Sequence, residues 1–260
     1  MKTPLIMFSS IALLGIGTTH GDTLALIQDA ANKGEEAAVP EATEKSNWYA
    51  TAAIGGNIML DSDFKDDSNA TLKYKAGVGS AFGFGYQFNK SWSLEFQTGV
   101  NWNGVDELTW STPVAGVGVA NITGGSGDIY QVPVIANATW SIALTDKISL
   151  GLSAGLGVQW NNVNIHGVQA SAVGFGNLGT AEFSQSSFAF RYQAGIQIAH
   201  QVTHNIHMGF GVRFSGTSEI NLGTGTFYPT AGGALQVSND DLKLTRFMNF
   251  SLGGGIKITF

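Results

Sequence analysis

Residues 147–161 read KISLGLSAGLGVQWN, and they decide the fold of this chain. From Ile148 to Trp160 every even-numbered residue is apolar, whereas the odd-numbered residues are Ser, Gly or Gln. A two-residue period is typical of a β-strand with one apolar and one polar face, because successive side chains point to opposite sides. We therefore predict a strand here, and its polar face carries no charge.

The same alternation recurs in seven further stretches, always with the apolar residues at even-numbered positions. The connections between them are alternately short and long, as in a barrel whose strands run up and down. The pattern predicts an all-β fold, an eight-stranded antiparallel up-and-down transmembrane β-barrel. The predicted strands are residues 48–60, 72–88, 92–103, 129–144, 147–161, 187–201, 206–219 and 242–260. The long loops are residues 61–71, 104–128, 162–186 and 220–241.

The chemistry of the two strand faces indicates which face points outward. A soluble barrel turns its apolar face inward and exposes charged residues to water. Here the polar face is rich in Gly, Ser, Gln and Asn, and only 12% of the chain is charged, against about 25% in average soluble domains. The apolar face carries bulky aromatic residues at the strand ends, which favours an apolar outer belt with aromatic girdles. The predicted girdle is Trp48, Trp92, Trp102, Trp140 and Trp160.

Composition and charge exclude several other classes of protein. The chain has no Cys, so it cannot form a disulfide scaffold or a Cys-ligated metal site. Its formal net charge is −6 and it shows no basic stripe, which disfavours binding to nucleic acid. We predict no metal and no cofactor.

The first 47 residues are predicted to lie outside the barrel. Lys2 precedes an apolar run, PLIMFSSIALLGIG, which is followed by small residues. This arrangement is typical of a secretory signal peptide. We assign residues 1–21 to it, with cleavage between residues 17 and 25. Residues 22–47, which are rich in Ala and Glu, are predicted to be a mobile periplasmic segment, and residues 48–260 are the barrel.

Two stretches resemble a known family. The ending Gly253–Phe260 (GGGIKITF) is similar to the C-terminal assembly signal of bacterial outer-membrane barrels, and Tyr130–Asn137 (YQVPVIAN) resembles the fourth strand of the opacity/OmpA-like superfamily. The resemblance implies a bacterial outer-membrane location, reached by secretion through the inner membrane. It also implies contact with outer-membrane lipid and lipopolysaccharide, and insertion by the barrel assembly machinery. The assembly signal would be Ile256, Ile258 and Phe260.

Motifs that are typical of enzymes or metal sites fail on their context. Gly151–Gly155 (GLSAG) matches a nucleophile elbow, but an elbow needs a strand-to-helix turn and this segment is predicted mid-strand. Asp61–Asp67 places Lys65 and Asp66 where a calcium loop needs a ligand and a Gly. Of three histidines near one turn, only His207 is predicted to face inward. We predict that the chain is not an enzyme.

Charged residues at odd-numbered positions are predicted to face the lumen. Glu95 is the only acid among the deep ones, and we expect it to pair with Lys257, Arg191 or Arg213 and to close the lumen, because buried charges need partners. Four more charged residues are expected to face inward: Lys73, Lys75, Lys243 and, near the rim, Glu219.

Two functions follow from these expectations. The first is a non-enzymatic outer-membrane barrel with a structural or surface-interaction role, which binds an extracellular ligand through its four long outer loops. The alternative is a narrow, anion-preferring pore for small solutes. The many inward-facing glycines favour the alternative if they leave room for water, since eight strands enclose only a narrow interior.

Overall fold

The computed structural model describes residues 47–65, 67–114, 118–172, 174, 176–222, 225–230, 235–237 and 243–260. The predicted signal peptide and residues 22–46 lie outside these described residues. Among the described residues, no helix is long and apolar enough to span a membrane. The strands are β1 Trp48–Leu60, β2 Ser62–Phe64, β3 Asp67–Tyr74, β4 Gly77–Gln87, β5 Trp92–Val114, β6 Gly118–Ala143, β7 Ile148–Ala172, β8 Gly176–Gln201, β9 Ile206–Thr217, β10 Ile220–Asn221, β11 Gly225–Pro229, β12 Leu235–Val237, β13 Lys243–Leu244 and β14 Met248–Thr259.

Eight long strands form a closed ring. In the order β1, β4, β5, β6, β7, β8, β9 and β14, each pairs with the next in antiparallel register. The ring closes because β14 pairs back onto β1, from Tyr49 opposite Thr259 to Leu60 opposite Met248. The predicted eight-stranded antiparallel barrel is confirmed.

Three tight turns lie at one end of the ring, which we call the turn end. In each, an oxygen of a polar side chain accepts a bond from the first backbone N–H of the next strand. Asn89 Oδ1 accepts from Trp92 N at 2.9 Å. Thr145 Oγ1 accepts from Ile148 N at 3.0 Å, and Thr203 Oγ1 from Ile206 N at 3.1 Å. Asx and ST turns of this kind place the connections where the sequence predicted them.

The opposite end, which we call the extended end, differs from the prediction. Residues 104–128 and 162–186, predicted as loops, are mostly strand. The ladder of β5 with β6 continues to Val114 opposite Gly118, and that of β7 with β8 to Ala172 opposite Gly176. Register shifts near Ile165 and Ala170 interrupt the pairing of β7 with β8, so no single two-residue period runs through residues 162–186.

Two predicted strands are interrupted at the same end. The stretch 72–88 divides into β3 and β4, and the parity changes between the two strands: even-numbered Leu72 is buried in β3, whereas even-numbered Val78 is exposed in β4. Lys73 and Lys75 therefore lie exposed, where they meet Glu107 at 3.1 Å and Asp106 at 3.9 Å. The prediction that these two lysines face the lumen is wrong.

The last predicted strand, 242–260, also divides. Its described part forms β13 and β14. In β13 the buried residue is Leu244, and Lys243 is only partly buried. Glu219 is exposed and pairs with Lys65 at 2.8 Å. Neither Lys243 nor Glu219 belongs to the lumen that the eight long strands enclose.

The exterior of the ring is apolar. Among the described residues, every exposed large hydrophobic side chain except Val119 stands at an even-numbered position. The assignment of even-numbered residues to the outer face is therefore confirmed for the long strands away from the extended end, where even-numbered Leu108 and Val168 are buried instead.

The buried apolar core lies inside the extended end, and we call it the outer cap. Four short strands contribute to it: β2, β3, β10 and β13. Its buried residues are Met59, Phe64, Ala70, Leu72, Val105, Leu108, Ile129, Val163, Ile165, Val168, Ala181, Ala189, Ile220, Leu222, Leu244 and Phe247.

Candidate functional site: the barrel lumen

The charged residues nearest the turn end have neutral partners. Glu95 accepts a hydrogen bond from Thr51 Oγ1 at 3.0 Å. Lys257 Nζ donates to Gln87 Oε1 at 3.0 Å and lies 4.0 Å from the centroid of the Tyr49 ring. Each interaction holds its charged group against the wall of the barrel, and a cation over an aromatic face is attracted by the ring quadrupole.

The expected direct ion pair of Glu95 does not form. Among the described residues, the three ion pairs within 4.0 Å all lie at the extended end. Arg213 and Lys257 are close enough to attract Glu95 electrostatically. The four predicted residues therefore share the lumen without direct ionic contact.

Arg191 lies nearer the extended end than Glu95 and Lys257 do, and its hydrogen-bond partners are neutral. Its exposed fraction is 2%. It donates to Gln159 Oε1 and, at 2.8 Å, to Ser215 Oγ. Gln159 is in turn bonded to Asn161. Four buried side-chain atoms of the described residues have no hydrogen-bond partner: Tyr74 Oη, Gln131 Nε2, Arg191 Nε and Gln193 Oε1.

Amide side chains cross the middle of the lumen. Gln193 on β8 donates to Gln97 on β5 at 3.1 Å and to Asn137 on β6 at 2.5 Å. Asn137 also donates to Gln97 at 3.3 Å. In the ring, β5 and β8 stand three strands apart, so these bonds span the interior.

A second set of amides lies nearer the extended end. Asn249 on β14 donates to Gln131 on β6 at 3.3 Å, and these two strands face each other across the ring. Asn57 donates to Asn103 at 2.6 Å and to Asn249 at 3.4 Å. All four side chains are fully buried. We call both sets together the amide plug, comprising Asn57, Gln97, Asn103, Gln131, Asn137, Gln193 and Asn249.

The inward-facing glycines do not leave room for water in the way the sequence suggested. A Cβ built at Gly83 would lie 2.5 Å from Glu95 Cδ and 2.5 Å from Thr51 Oγ1. A Cβ at Gly85 would overlap the Tyr49 ring. Long side chains from neighbouring strands thus fold over these glycines, so glycine is required by close packing.

The outer cap covers the amide plug. Phe247 is fully buried, makes an edge contact with the Tyr74 ring at 5.8 Å between centroids, and donates its N–H to Thr217 Oγ1 at 3.0 Å. Sequence reasoning missed the cap, because Leu72 and Leu108 are even-numbered and were expected to face outward or to lie in a loop. Isolated apolar residues within the predicted polar loops are the signal that could have indicated the cap.

The predicted girdle and assembly residues lie on the exterior. Trp92 and Trp140 stack at the turn end, 6.4 Å between centroids. Trp48 and Trp102 are also exposed, and Trp160 is partly exposed. The even-numbered residues of the C-terminal stretch point outward as well: Ile256, Ile258 and Phe260. Their part in assembly stays a prediction.

The groups that could suggest catalysis or metal binding do not converge. Ser153 lies within β7 and donates to Gly195 O at 3.4 Å. On the exterior, Ser126 Oγ lies 3.1 Å from His166 Nε2, and no carboxylate of the described residues bonds that ring. Within the described ranges, no three His, Cys, Asp or Glu residues are placed to hold a metal ion.

The course of the strands is similar to that of several solved structures. Neisserial surface protein A is 12% identical, with 83% of this chain and 98% of that one covered and a TM-score of 0.43. Ail, the attachment invasion locus protein of Yersinia pestis, is 16% identical over 81% and 98%, with a TM-score of 0.36. The outer membrane protease OmpT from Escherichia coli is 9% identical over 84% and 98%, with a TM-score of 0.48.

Sequence comparison adds no closer relative. No protein-family model matches this chain, and no curated protein sequence matches it. The structural likenesses have low identity and TM-scores under 0.5, so no function is inferred from them, and one of the three proteins is a protease. The fold is established by the strand pairing described above.

Proposed function

We propose that this chain is a non-enzymatic bacterial outer-membrane β-barrel with a closed lumen, and that it has a structural or surface-interaction role through its extended end. The observation that carries the proposal is the amide plug. Hydrogen bonds cross the lumen from Gln193 to Gln97 and from Asn249 to Gln131. The outer cap seals the space above them with fully buried apolar side chains. An eight-stranded interior is narrow enough for such side chains to fill it.

The exterior supports a location in the membrane. Large apolar side chains cover it on all eight strands, and a soluble monomer rarely exposes so continuous an apolar surface. Lipid accommodates this surface, and the closed ring leaves no strand edge unpaired around the barrel. In outer-membrane barrels the short turns face the periplasm, which places the extended end outside the cell.

The extended end supports the surface role. Its two longest hairpins, β5 with β6 and β7 with β8, are paired almost to their tips. A paired hairpin already holds its side chains in a fixed arrangement, so the hairpin would lose little conformational entropy when a partner binds. We propose an extracellular ligand for this surface, together with lipopolysaccharide around its base.

Conductance in planar bilayers tests the closed lumen. The full chain, extracted from outer membranes, should give no current steps. The positive control is a variant in which Gln97, Gln193, Gln131, Asn249 and Phe247 are all replaced by Gly, which removes the cross-lumen bonds of both amide layers and part of the cap and should conduct. Reproducible current steps from the unmodified chain would contradict the proposal.

The surface role has its own test. Replacing residues 166–182 by a two-residue turn shortens the hairpin of β7 and β8 above the Ile165–Phe183 pair and leaves the eight-stranded ring intact. Cells that carry this variant should lose the binding to extracellular ligands that cells with the full chain show. Equal binding by both would exclude this hairpin as the contact surface.

The alternative is a narrow, anion-preferring pore. The observation that favours it is the charge of the lumen: among the residues that the structure describes there, Arg191, Arg213 and Lys257 are basic and Glu95 is the one acid. A pore of this kind would give anion-selective steps from the unmodified chain, so the bilayer experiment separates the two functions.

A further inference from the structure

A polar surface lies on the outward face of the two longest hairpins, between the apolar exterior and the extended end. Trp102 on β5 pairs with Tyr130 on β6, and Tyr130 pairs with Asn162 on β7, so this row of outward side chains passes from aromatic to amide. Nearer the extended end, the outward residues of β6, β7 and β8 are polar. We call this surface the lateral patch, comprising Ser126, Asp128, Asn162, Asn164, His166 and Ser186.

Hydrogen bonds between neighbouring strands fix much of the lateral patch. Asn162 Nδ2 donates to Ser186 Oγ at 2.8 Å, and Ser126 Oγ lies 3.1 Å from His166 Nε2. Asn164 lies between these two pairs on β7 and is exposed, and its side chain bonds no residue that the structure describes. The patch therefore combines side chains that are already ordered with an amide that is free to bind a partner, which keeps the entropy lost on binding low.

Two aromatic rings border the lateral patch on the side of the apolar exterior. Trp102 is 38% exposed and Tyr130 is 43% exposed. Trp102 Nε1 donates to Asp128 Oδ1 at 2.8 Å, which holds the indole beside the patch. A sugar ring carries C–H groups on its face and hydroxyls around its edge. Aromatic rings beside amide and carboxylate oxygens can contact both kinds of group.

The charge of the lateral patch selects among the groups found at a membrane surface. None of its six residues is Lys or Arg, the side chains that bind phosphate groups best. The carboxylate of Asp128 would repel a phosphate, whereas amides and hydroxyls both donate and accept hydrogen bonds. A neutral, hydroxyl-rich partner therefore fits this surface better than a phosphate does.

The position of the lateral patch indicates the source of such a partner. On the outward face of β7, Trp160 comes directly before Asn162, and on β8 Phe188, which is 76% exposed, comes directly after Ser186. Both aromatic residues belong to the apolar surface that lipid covers. Because the patch continues that wall, it faces sideways, toward molecules that stand beside the barrel in the same leaflet.

We propose that the lateral patch binds neutral hexose units of lipopolysaccharide molecules beside the barrel. Hexose hydroxyls bond the amides of Asn162 and Asn164, and the sugar ring packs beside Tyr130. This inference rests on the proposed outer-membrane location and specifies the lipopolysaccharide contact proposed above.

Failure of this inference can be distinguished from failure of the proposed function. The lateral patch lies outside the ring, so loss of sugar binding would leave the amide plug and the absence of conductance as proposed. Current steps from the unmodified chain would contradict the closed lumen and leave the sugar contact in place.

The test compares two lipopolysaccharides that share lipid A and its phosphates and differ in whether neutral hexoses are attached. The full chain is placed in lipid nanodiscs with one or the other, and thermal unfolding gives the midpoint. The midpoint should be higher with the hexose-bearing form, because a ligand that binds only the folded chain stabilises it. The double variant Asn162→Ala, Asn164→Ala should lose this difference. Asn47→Ala, which changes an exposed amide at the turn end, should keep it.

Each variant is compared with itself in the two lipopolysaccharides, so a general loss of stability does not affect the difference in midpoint. The oligosaccharide released from its lipid gives a further measurement. At the same total concentration it should have little effect, because attachment to the membrane supplies a high effective concentration. An equal rise from the released sugar would overturn the proposal and assign the patch to a soluble glycan. Equal midpoints in the two lipopolysaccharides, or a difference that persists unchanged in the double variant, would also overturn it.

Discussion

The outer cap and the amide plug lie one above the other in the same lumen, and they close it by different chemistry. The cap consists of apolar side chains, and several of them belong to the short strands β2, β3, β10 and β13. The plug consists of amides on the long strands, each held by named partners. Apolar packing depends on volume and has no direction, whereas a buried amide needs its acceptor or donor at one position. Substitutions in the two layers should therefore lower the free energy of unfolding in different ways.

The largest effect is expected in the cap. Phe247→Ala removes a fully buried ring that touches Tyr74, and the cavity should lower the free energy of unfolding by about 3–5 kcal/mol. Urea titration in detergent measures it. Phe188→Ala, at a residue that is 76% exposed, is the matched control and should have a much smaller effect. Equal losses for both would mean that the cap is not packed.

The plug should show a smaller but coupled effect. Gln131→Ala leaves the Asn249 amide without its acceptor, and the loss should be about 1–3 kcal/mol. A double-mutant cycle with Asn249→Ala should give a coupling energy of about 0.5–3 kcal/mol. Asn47→Ala, which removes an exposed amide bond to Tyr86, should change stability by less than about 0.5 kcal/mol. Additive losses at Gln131 and Asn249 would contradict the bond across the lumen.

Two glycines of the barrel wall differ in the space that an added Cβ atom would find. Gly85→Ala places a methyl group against the buried Tyr49 ring, and overpacking should cost about 1–3 kcal/mol. A Cβ at Gly56 meets nothing within 4 Å, so Gly56→Ala should be neutral or stabilising by up to about 1 kcal/mol. Thermal unfolding of both variants checks this. A neutral Gly85→Ala would show that the lumen beside Tyr49 is loosely filled.

The smallest effect is expected at the rim outside the cap. Lys65 donates to Glu219 and lowers the pKa of that carboxyl below its usual 4.5. A lowered pKa in the folded state stabilises it at pH above the ordinary value, and this stabilisation is lost as the pH falls through the lowered value. The difference in thermal midpoint between the unmodified chain and Glu219→Gln should therefore shrink between pH 6 and about pH 3. A difference that is constant across this range would contradict the pairing.

The long strands could be predicted from sequence because every outward residue meets the same apolar surroundings. That uniformity makes the two-residue period continuous from Ile148 to Trp160 and repeats it over much of the other seven predicted strands. The short turns were also predictable, since Asn89, Thr145 and Thr203 bond their own backbones locally. Both signals depend on nearby residues only.

The cap and the partners inside the lumen could not be predicted in this way. Leu72 and Tyr74 face inward in β3, whereas the even-numbered residues of β4 face outward, so the parity on which the strand pattern depends changes between these two strands. The position of each inward side chain depends on the tilt and stagger of the whole ring. The sequence predicted that Glu95 pairs with Lys257, Arg191 or Arg213, yet Lys257 lies against Tyr49 and Glu95 accepts a hydrogen bond from Thr51. The signal peptide and the assembly signal remain predictions.

The pairing of β1 with β14 has a consequence for how the protein comes to be folded. Tyr49 pairs with Thr259, 259 − 49 = 210 positions later in the chain. Contacts of such sequence separation make folding slow, because almost all of the chain must be ordered before they form. Until β14 is in place, β1 and β9 each carry a row of unpaired backbone groups that can recruit another chain. We therefore expect ring closure to be a late step, and a newly made chain to need protection against aggregation until that step is complete.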